Sequence, residues 1–307
     1  MSSHNTPPND TAAAISHQAT SGGVLTDADW LDDHYAAMQP EYEQMLRRVG
    51  LQPGWTVLDA GCGGGSYVPL LAELVGATGR ILATDIAPEN VQRLSNRIQA
   101  RACVCPVEVH QGDVLALPFP DASVDALWCA AVSQYLSDAQ LLVAFREFKR
   151  VVRPSGLIAV KEADLATFHF GHFPNDAIWR FLIAISAAND GVTLNGVNVN
   201  TRGVLRAPGF QALFRTLGLE QISATTIIGE RRPPLTSVEW RFLANMLSFT
   251  SDVALVLNLP AADQVHWQAL KGIEQPDHIL RSQNFFYREG HNVTIGRVPH
   301  MSTKSAK

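Results

Sequence analysis

The stretch VLDAGCGGGSYVPLL, residues 57–71, runs an apolar strand into an acid, a cluster of glycines and an apolar helix. Gly61, Gly63 and Gly65 space a G-x-G-x-G turn, and glycine lets the chain turn tightly and lets a ligand approach the backbone. The helix expected from about Tyr67 would offer its first N–H groups to any acceptor. A dinucleotide fingerprint, G-x-G-x-x-G, needs glycine at position 66, where Ser66 stands. Asp59, two residues before the first glycine, would repel a pyrophosphate but attract an ammonium or a sulfonium. A cap on the turn, made through backbone N–H groups, is its other reading.

Outward from this stretch, β-rich runs alternate with helical ones as far as Val160, the pattern of βαβ units and a parallel sheet. Strands are predicted at 55–60, 80–86, 107–113, 125–131 and 156–163, and helices at 67–75, 88–101 and 138–152. Val91, Leu94 and Ile98 give the second helix an apolar face. The RPSG segment at 153–156 ends the third helix. Asp85, 20 residues past Gly65, ends the second strand where an acid can accept both ribose hydroxyls, a position shared by sites for NAD and for S-adenosylmethionine. Asp113 ends the third strand, within reach of an adenine amine, and Gly112 leaves room beside the ring. Three acids at successive strand ends mark the carboxyl edge as a ligand site. With Asp59 and Ser66, they favour S-adenosylmethionine over NAD.

The chain has 307 residues, 46% of them hydrophobic, with a net charge of −5, which allows a sizeable core and speaks against nucleic acid as a partner. No Lys or Arg precedes Arg47, so no secretory or transit signal is read, and VALVLNLPAA (253–262) is too short to span a bilayer. A cytoplasmic location is expected. Cys62, Cys103, Cys105 and Cys129 are read as reduced thiols. The expected organisation is a disordered leader (1–24), a helical cap (25–50), a nucleotide-binding core (51–164), a lid insertion (165–205), a C-terminal completion of the sheet with further helices (206–300) and a flexible tail (301–307). The lid segment from Asp164 is read as an aromatic loop followed by a helix.

The segments VLDAGCGGGSY, ILATDIAPENV, GDVLALPFPDASVDALWCA and FKRVVRPSGLIAVKE, in this order, resemble class I S-adenosylmethionine-dependent methyltransferases, nearest to the ubiquinone/menaquinone-biosynthesis type of small-molecule enzyme. The resemblance covers about residues 50–164. It implies a Rossmann-like fold, a seven-stranded, mostly parallel sheet with helices on both faces, here with a helical lid insertion. It further implies that Gly61, Cys62, Gly63 and Gly65 form the loop against the methionine part and ribose, with Asp59 helping to hold the amino group. Asp85 would bind the ribose, Ile86 would pack on the adenine, Gly112, Asp113 and Val114 would flank the base, and Ala130 would contact the methionine part. Family members often carry a histidine shortly after the fourth strand. Ser133, Gln134 and Tyr135 stand there instead.

Methyl transfer from a sulfonium needs chiefly that the acceptor be held at attack distance in a dry pocket, and a base matters only for a hydroxyl or an acidic carbon. The candidates are His34 and Tyr35 before the core, His169 and His172 in the aromatic loop, and Glu162 and Asp164 at the fifth strand. No metal is expected, because the CAAVSQ segment offers no carboxylate and the H-x-x-H pair no third ligand. Phe168, Phe170, Phe173, Trp179 and Phe181 either line an acceptor pocket or form the core of the insertion. The expected function is methylation of a small, hydrophobic metabolite. A protein that binds S-adenosylmethionine without transfer and an NAD-linked oxidoreductase are the alternatives, and the oligomeric state is left open.

Overall fold

In the computed structural model the described residues are 17–18, 24–25, 28–188, 192–194, 197–199 and 205–300. The leader, apart from the pairing of His17–Gln18 with Val24–Leu25, and the tail lie outside them. Seven strands form one sheet: β1 (Thr56–Ala60), β2 (Arg80–Asp85), β3 (Val107–Gln111), β4 (Val124–Ala130), β5 (Val152–Phe170), β6 (Glu220–Arg231) and β7 (Tyr287–Arg297). Their order is β6-β7-β5-β4-β1-β2-β3, and only β7 runs antiparallel to its neighbours. The sequence reversal beside β1 places a topological switch at the carboxyl ends of β1 and β4, where open sheets of this kind receive ligands.

Both sheet faces are covered, which explains the unbroken apolar runs of β1 and β4. On one face Val57, Trp128 and Ala159 meet Met45 and Leu46 of α2 (Gln39–Arg48) and Leu71 and Val75 of α3 (Val68–Val75). On the other, Leu58, Leu127 and Val160 meet Phe145 and Phe148 of α5 (Asp138–Val151) and Phe214 of α7 (Phe210–Thr216). Between β2 and β3 runs α4 (Pro88–Ala100), with Leu94 buried as its periodicity predicts. Ahead of the sheet, α1 (Ala28–Ala37) turns directly into α2.

The segment after Asp164 departs from expectation. It continues β5 to Phe170, paired to Arg288 and Tyr287 of β7 after an irregularity near Gly290, so the aromatic residues belong to a strand rather than a loop. Beyond it, α6 (Asn175–Ala187), α8 (Ser237–Val256) and α9 (Ala261–Ala269) enclose a second core. A reciprocal cap between Thr236 and Glu239 starts α8. Phe168, Phe170, Phe173 and Phe181 are buried in this core, with Phe173 4.4 Å from the Trp267 ring, while Trp179 is exposed. Four of the five aromatics thus form the core of the insertion, the second of the two readings. Among the described residues no helix is long and apolar enough to cross a membrane.

Candidate active site

Asp59 sits at the carboxyl end of β1, in register with Ala83 of β2 and Trp128 of β4. It is buried, and its Oδ2 has no hydrogen-bond partner among the described residues. Burial, with the nearby Asp85 charge, pushes its carboxyl up to about 8. A buried carboxylate oxygen without a partner is costly, and a cationic ligand group would supply the missing partner.

The glycine loop curls over this acid. Gly61 and Gly65 have φ of +77° and +83°, and a Cβ at either would come within 2.2 Å of Val132 or 2.3 Å of Leu94. Only glycine fits both the turn and the packing. The Gly61 and Cys62 N–H groups donate to the Thr84 carbonyl (2.8 and 2.9 Å) and that of Gly65 to the Cys62 carbonyl (2.9 Å). The Gly63 N–H donates to Asp85 Oδ2 at 2.8 Å. The Val68 N–H returns to the Gly65 carbonyl, and Pro69 has none. Five of the loop's N–H groups, those of Gly61, Cys62, Gly63, Gly65 and Val68, are thus spent within the loop and on the strand beside it.

Asp85 is held by the Ala87 N–H (3.0 Å) and the Asn90 amide (3.1 Å) on Oδ1. Each oxygen accepts twice, so Oδ2 keeps capacity for a ribose hydroxyl. Ile86 follows at the mouth of the same strand. β3 ends at Gln111, two residues earlier than its sequence suggests, so Asp113 lies in a turn whose Leu115 N–H it caps at 2.9 Å, with Val114 buried beside it. At Gly112 a Cβ would meet Thr84 Oγ1 at 2.8 Å, so the space there serves the chain's own packing. Ala130 ends β4, and Cys62 is buried, its thiol pushed up by burial and so inert as a nucleophile.

Helix α1 lies on this loop. Asp32 accepts from Ser66 Oγ at 3.1 Å and pairs with Arg93 and Arg97 of α4, while Arg97 also donates to the Gly64 carbonyl at 2.7 Å. Burial alone would raise the Asp32 carboxyl, but the two guanidiniums outweigh it and lower it. Tyr35, on the same helix, packs edge-on against Tyr67, whose ring meets Trp128. Burial, helped by Glu43 and Asp59, raises the Tyr35 hydroxyl, which therefore stays protonated.

The sequence candidates separate here. His34 faces inward, bonded to Glu289 Oε1 at 2.9 Å and Tyr42 Oη at 2.7 Å, and stacked on Phe242. His169 sits far along β5 against Phe286, burial first and Arg288 second lowering its pKa, and His172 occupies a turn at φ +66°. Neither of the latter two shares a contact with the glycine loop or its acids among the described residues. Glu162 is buried in the middle of β5, next to Lys161, which pairs with the last residue of β4, Ala130; its Oε1 accepts from the Ser133 N–H (2.7 Å) and Oγ (2.6 Å), and its Oε2 is without a partner among the described residues. Burial carries it up to about 6 against the pull of Ser133 and Lys161.

Sequence reading missed Lys161, Glu289 and His291, all buried near α1 and α2. The Lys161 ammonium lies 3.8 Å from the Tyr42 ring centre. Glu289 and His291 alternate along β7, and the period-2 rule applied to FFYREGHNVTIGRV would have placed both on one face.

Residues 57–156 match the family model described as "Methyltransferase domain". The 27-O-demethylrifamycin SV methyltransferase of Amycolatopsis mediterranei is 25% identical over 218 residues, 69% of this chain and 72% of that protein. The chloroplastic 2-phytyl-1,4-beta-naphthoquinone methyltransferase of Arabidopsis thaliana is 33% identical over 113 residues, 36% of this chain but only 42% of that one. The YcgJ protein of Bacillus subtilis shares the fold, with a TM-score of 0.52 at 18% identity over 84% of this chain and 97% of its own. Strand order, glycine loop, edge acids and family match agree: residues 57–156 are a methyltransferase domain of the kind that uses S-adenosylmethionine.

Proposed function

We propose that the protein methylates a small, hydrophobic organic acceptor held between the carboxyl edge of the sheet and the α1–α2 cap. The observation that carries this reading is the buried, unpartnered Asp59 oxygen under the glycine loop. S-adenosylmethionine, when bound, supplies a methyl group on a sulfonium. Asp59 takes the ammonium of its methionine part, Asp85 the ribose, and Ile86 and Val114 the adenine. Tyr35 and Tyr67 wall the site with aromatic surface and keep water out. The names of the rifamycin and naphthoquinone enzymes support an acceptor of small-molecule size.

Of the acid–base candidates, Glu162 suits proton removal best, and His34, Tyr35, His169 and His172 are set aside for that role. Its unpartnered Oε2 has a lone pair to receive a proton, Ser133 fixes the other oxygen, and burial raises its proton affinity above that of an ordinary carboxylate. In the Glu162→Gln variant kcat is expected to fall about 10²- to 10⁴-fold, with the S-adenosylhomocysteine Kd unchanged. The test is a screen of hydroxylated aromatic and polyketide-like acceptors, with S-adenosylhomocysteine formation as the readout. Tight cofactor binding with no turnover on any of them would favour the non-transferring alternative.

A further inference from the structure

Under α1 and α2 four heteroatoms close a ring. His34 Nε2 lies 2.9 Å from Glu289 Oε1 and 2.7 Å from Tyr42 Oη. His291 Nε2 lies 3.2 Å from the same Oε1 and 3.0 Å from the same Oη. Tyr42, Glu289 and His291 are buried, and the His34 side chain is 20% exposed.

Protons cannot satisfy this ring. An Nε2 that carries a proton can donate to the carboxylate, but it then has no lone pair for the phenol. An Nε2 that keeps its lone pair accepts from the phenol, and then sets that lone pair against those of the carboxylate. The phenol has one proton for two nitrogens. However the protons are placed, either one contact opposes two lone pairs or the phenol proton finds no acceptor in the ring. A cation at the centre puts every one of these lone pairs to use.

We infer that His34, Tyr42, Glu289 and His291 form a binding site for a divalent transition-metal ion of the zinc type. Ligand bonds of about 2.0–2.2 Å in a tetrahedron put neighbouring ligand atoms about 3.3 Å apart. The four ring edges, 2.7–3.2 Å, lie at or just below the spacing of neighbouring ligand atoms around one such ion. The two imidazole nitrogens and the carboxylate oxygen all lie within 4.8 Å of one another. Imidazole donors favour zinc-like ions over magnesium or calcium. Two of the ligands are oriented by their surroundings: Tyr287 donates to Glu289 Oε2 at 2.8 Å and His34 stacks on Phe242, while His291 Nδ1 is buried without a partner among the described residues. Lys161 faces the ring from β5, and Glu162 beside it offsets that charge.

With four protein ligands the site is closed, so its role is structural. The ion ties α1 and α2 to β7 and so holds the cap that covers the glycine loop. Binding it releases the Tyr42 phenol proton to solvent and changes no oxidation state. The inference stands apart from the methyl-transfer reading, because it is measured on the full chain without cofactor or acceptor.

The experiment strips the protein with a chelator, dialyses it, and titrates Zn²⁺ in competition with a chromogenic chelator, with Co²⁺ as the spectroscopic probe. About one Zn²⁺ per chain should bind, with a rise in Tm, and Co²⁺ should give the intense visible bands of a tetrahedral site. His34→Ala, at the least buried ligand, should weaken Zn²⁺ more than about 100-fold and abolish the Co²⁺ bands, its fold checked by circular dichroism. Tyr42→Phe should keep a weaker site with an altered Co²⁺ spectrum, and His172→Ala should bind like the parent. Octahedral Co²⁺ spectra, less than a half equivalent of Zn²⁺, or tight binding that survives in His34→Ala would each overturn the assignment. If His34→Ala does not fold, the parent's Co²⁺ spectrum and stoichiometry decide alone.

Discussion

The Asp59 carboxyl makes cofactor affinity depend on pH with a slope whose sign is determined by the structure. Without ligand its pKa stands at about 8, raised from 3.8 by burial and then by Asp85. At pH 6.5 the free protein therefore holds a proton there. An ammonium placed against Oδ2 favours the carboxylate, so binding expels that proton. Affinity for S-adenosylhomocysteine should rise about tenfold per pH unit from about pH 5.5 to 7.5, roughly 100-fold in all, and level off as the Asp59 carboxyl of the free protein itself titrates at about 8. Calorimetry in two buffers of different ionisation enthalpy counts the released protons directly, and about one should appear at pH 6.5. Asp59→Asn should flatten the slope and weaken binding at pH 7.5 by about 30-fold or more, the cost of about 2 kcal/mol for leaving a desolvated charge unpaired. Stability moves the opposite way. An acid whose pKa is raised on folding holds a proton that the unfolded chain loses, so the apoprotein loses stability as pH rises from about 4 to 8. At about 1.4 kcal/mol per unit the upper bound is about 6 kcal/mol. Asp59→Asn should thus melt higher than the parent at pH 8 while binding cofactor worse. A flat affinity profile, no proton release, or a slope retained in Asp59→Asn would refute the placement of the ammonium.

Gly61→Ala combines a φ of +77° with a Cβ 2.2 Å from Val132, so it should lose about 2–4 kcal/mol of stability and most cofactor affinity. Adding Val132→Ala should restore the packing part, seen in Tm, and leave the backbone strain. Asp32→Ala removes the latch from α1 to Arg93, Arg97 and Ser66. Being partly exposed, it should cost under about 1 kcal/mol globally, yet speed amide exchange along α1 and the dissociation of S-adenosylhomocysteine. Phe173→Ala should destabilise by about 3–5 kcal/mol and Trp179→Ala by under about 0.5, as read from chemical denaturation; similar values for both would deny the insertion its own core.

What could be read from sequence was what depends on neighbours in the chain. The strand into Asp59, the turn at Gly61 and Gly65, the strand end at Asp85 and the apolar stripe through Leu94 are all set by periods of two or 3.6 and by glycine. The run of β5 on to Phe170 was not legible, because its partner, β7, begins 117 residues after that strand ends. Phenylalanines that alternate in and out of a strand look the same as aromatics in a loop until that partner is known. His34 was found as a residue but not for what it does. Its bond to Glu289 spans 255 positions, and no local spacing encodes a ring closed across α1, α2 and β7.

Where the molecule buries polar groups also argues for where it works. Asp59, Thr84, Asp85, Ser133, Lys161, Glu162, Glu289 and His291 are all buried, and they gather at the carboxyl edge of the parallel strands and under the α1–α2 cap. Packed apolar side chains of similar size would hold the cap to the sheet at no desolvation cost, and replacing buried charges in this way often stabilises a fold. Residues with raised or lowered pKa here, Asp59 and Glu162 upward and His291 down to about 4 through burial and then Lys161, mark the edge as the region that stability alone would not have built. The two ends of this belt differ in kind. At Asp59 and Glu162 an oxygen of each carboxylate stays without a partner, ready for a ligand, whereas at His34, Tyr42, Glu289 and His291 four polar atoms crowd one another and His291 Nδ1 behind them is the atom left without a partner. An open end suits binding and turnover. A crowded end suits a clasp, which is why catalysis is assigned to the first and closure of the cap to the second.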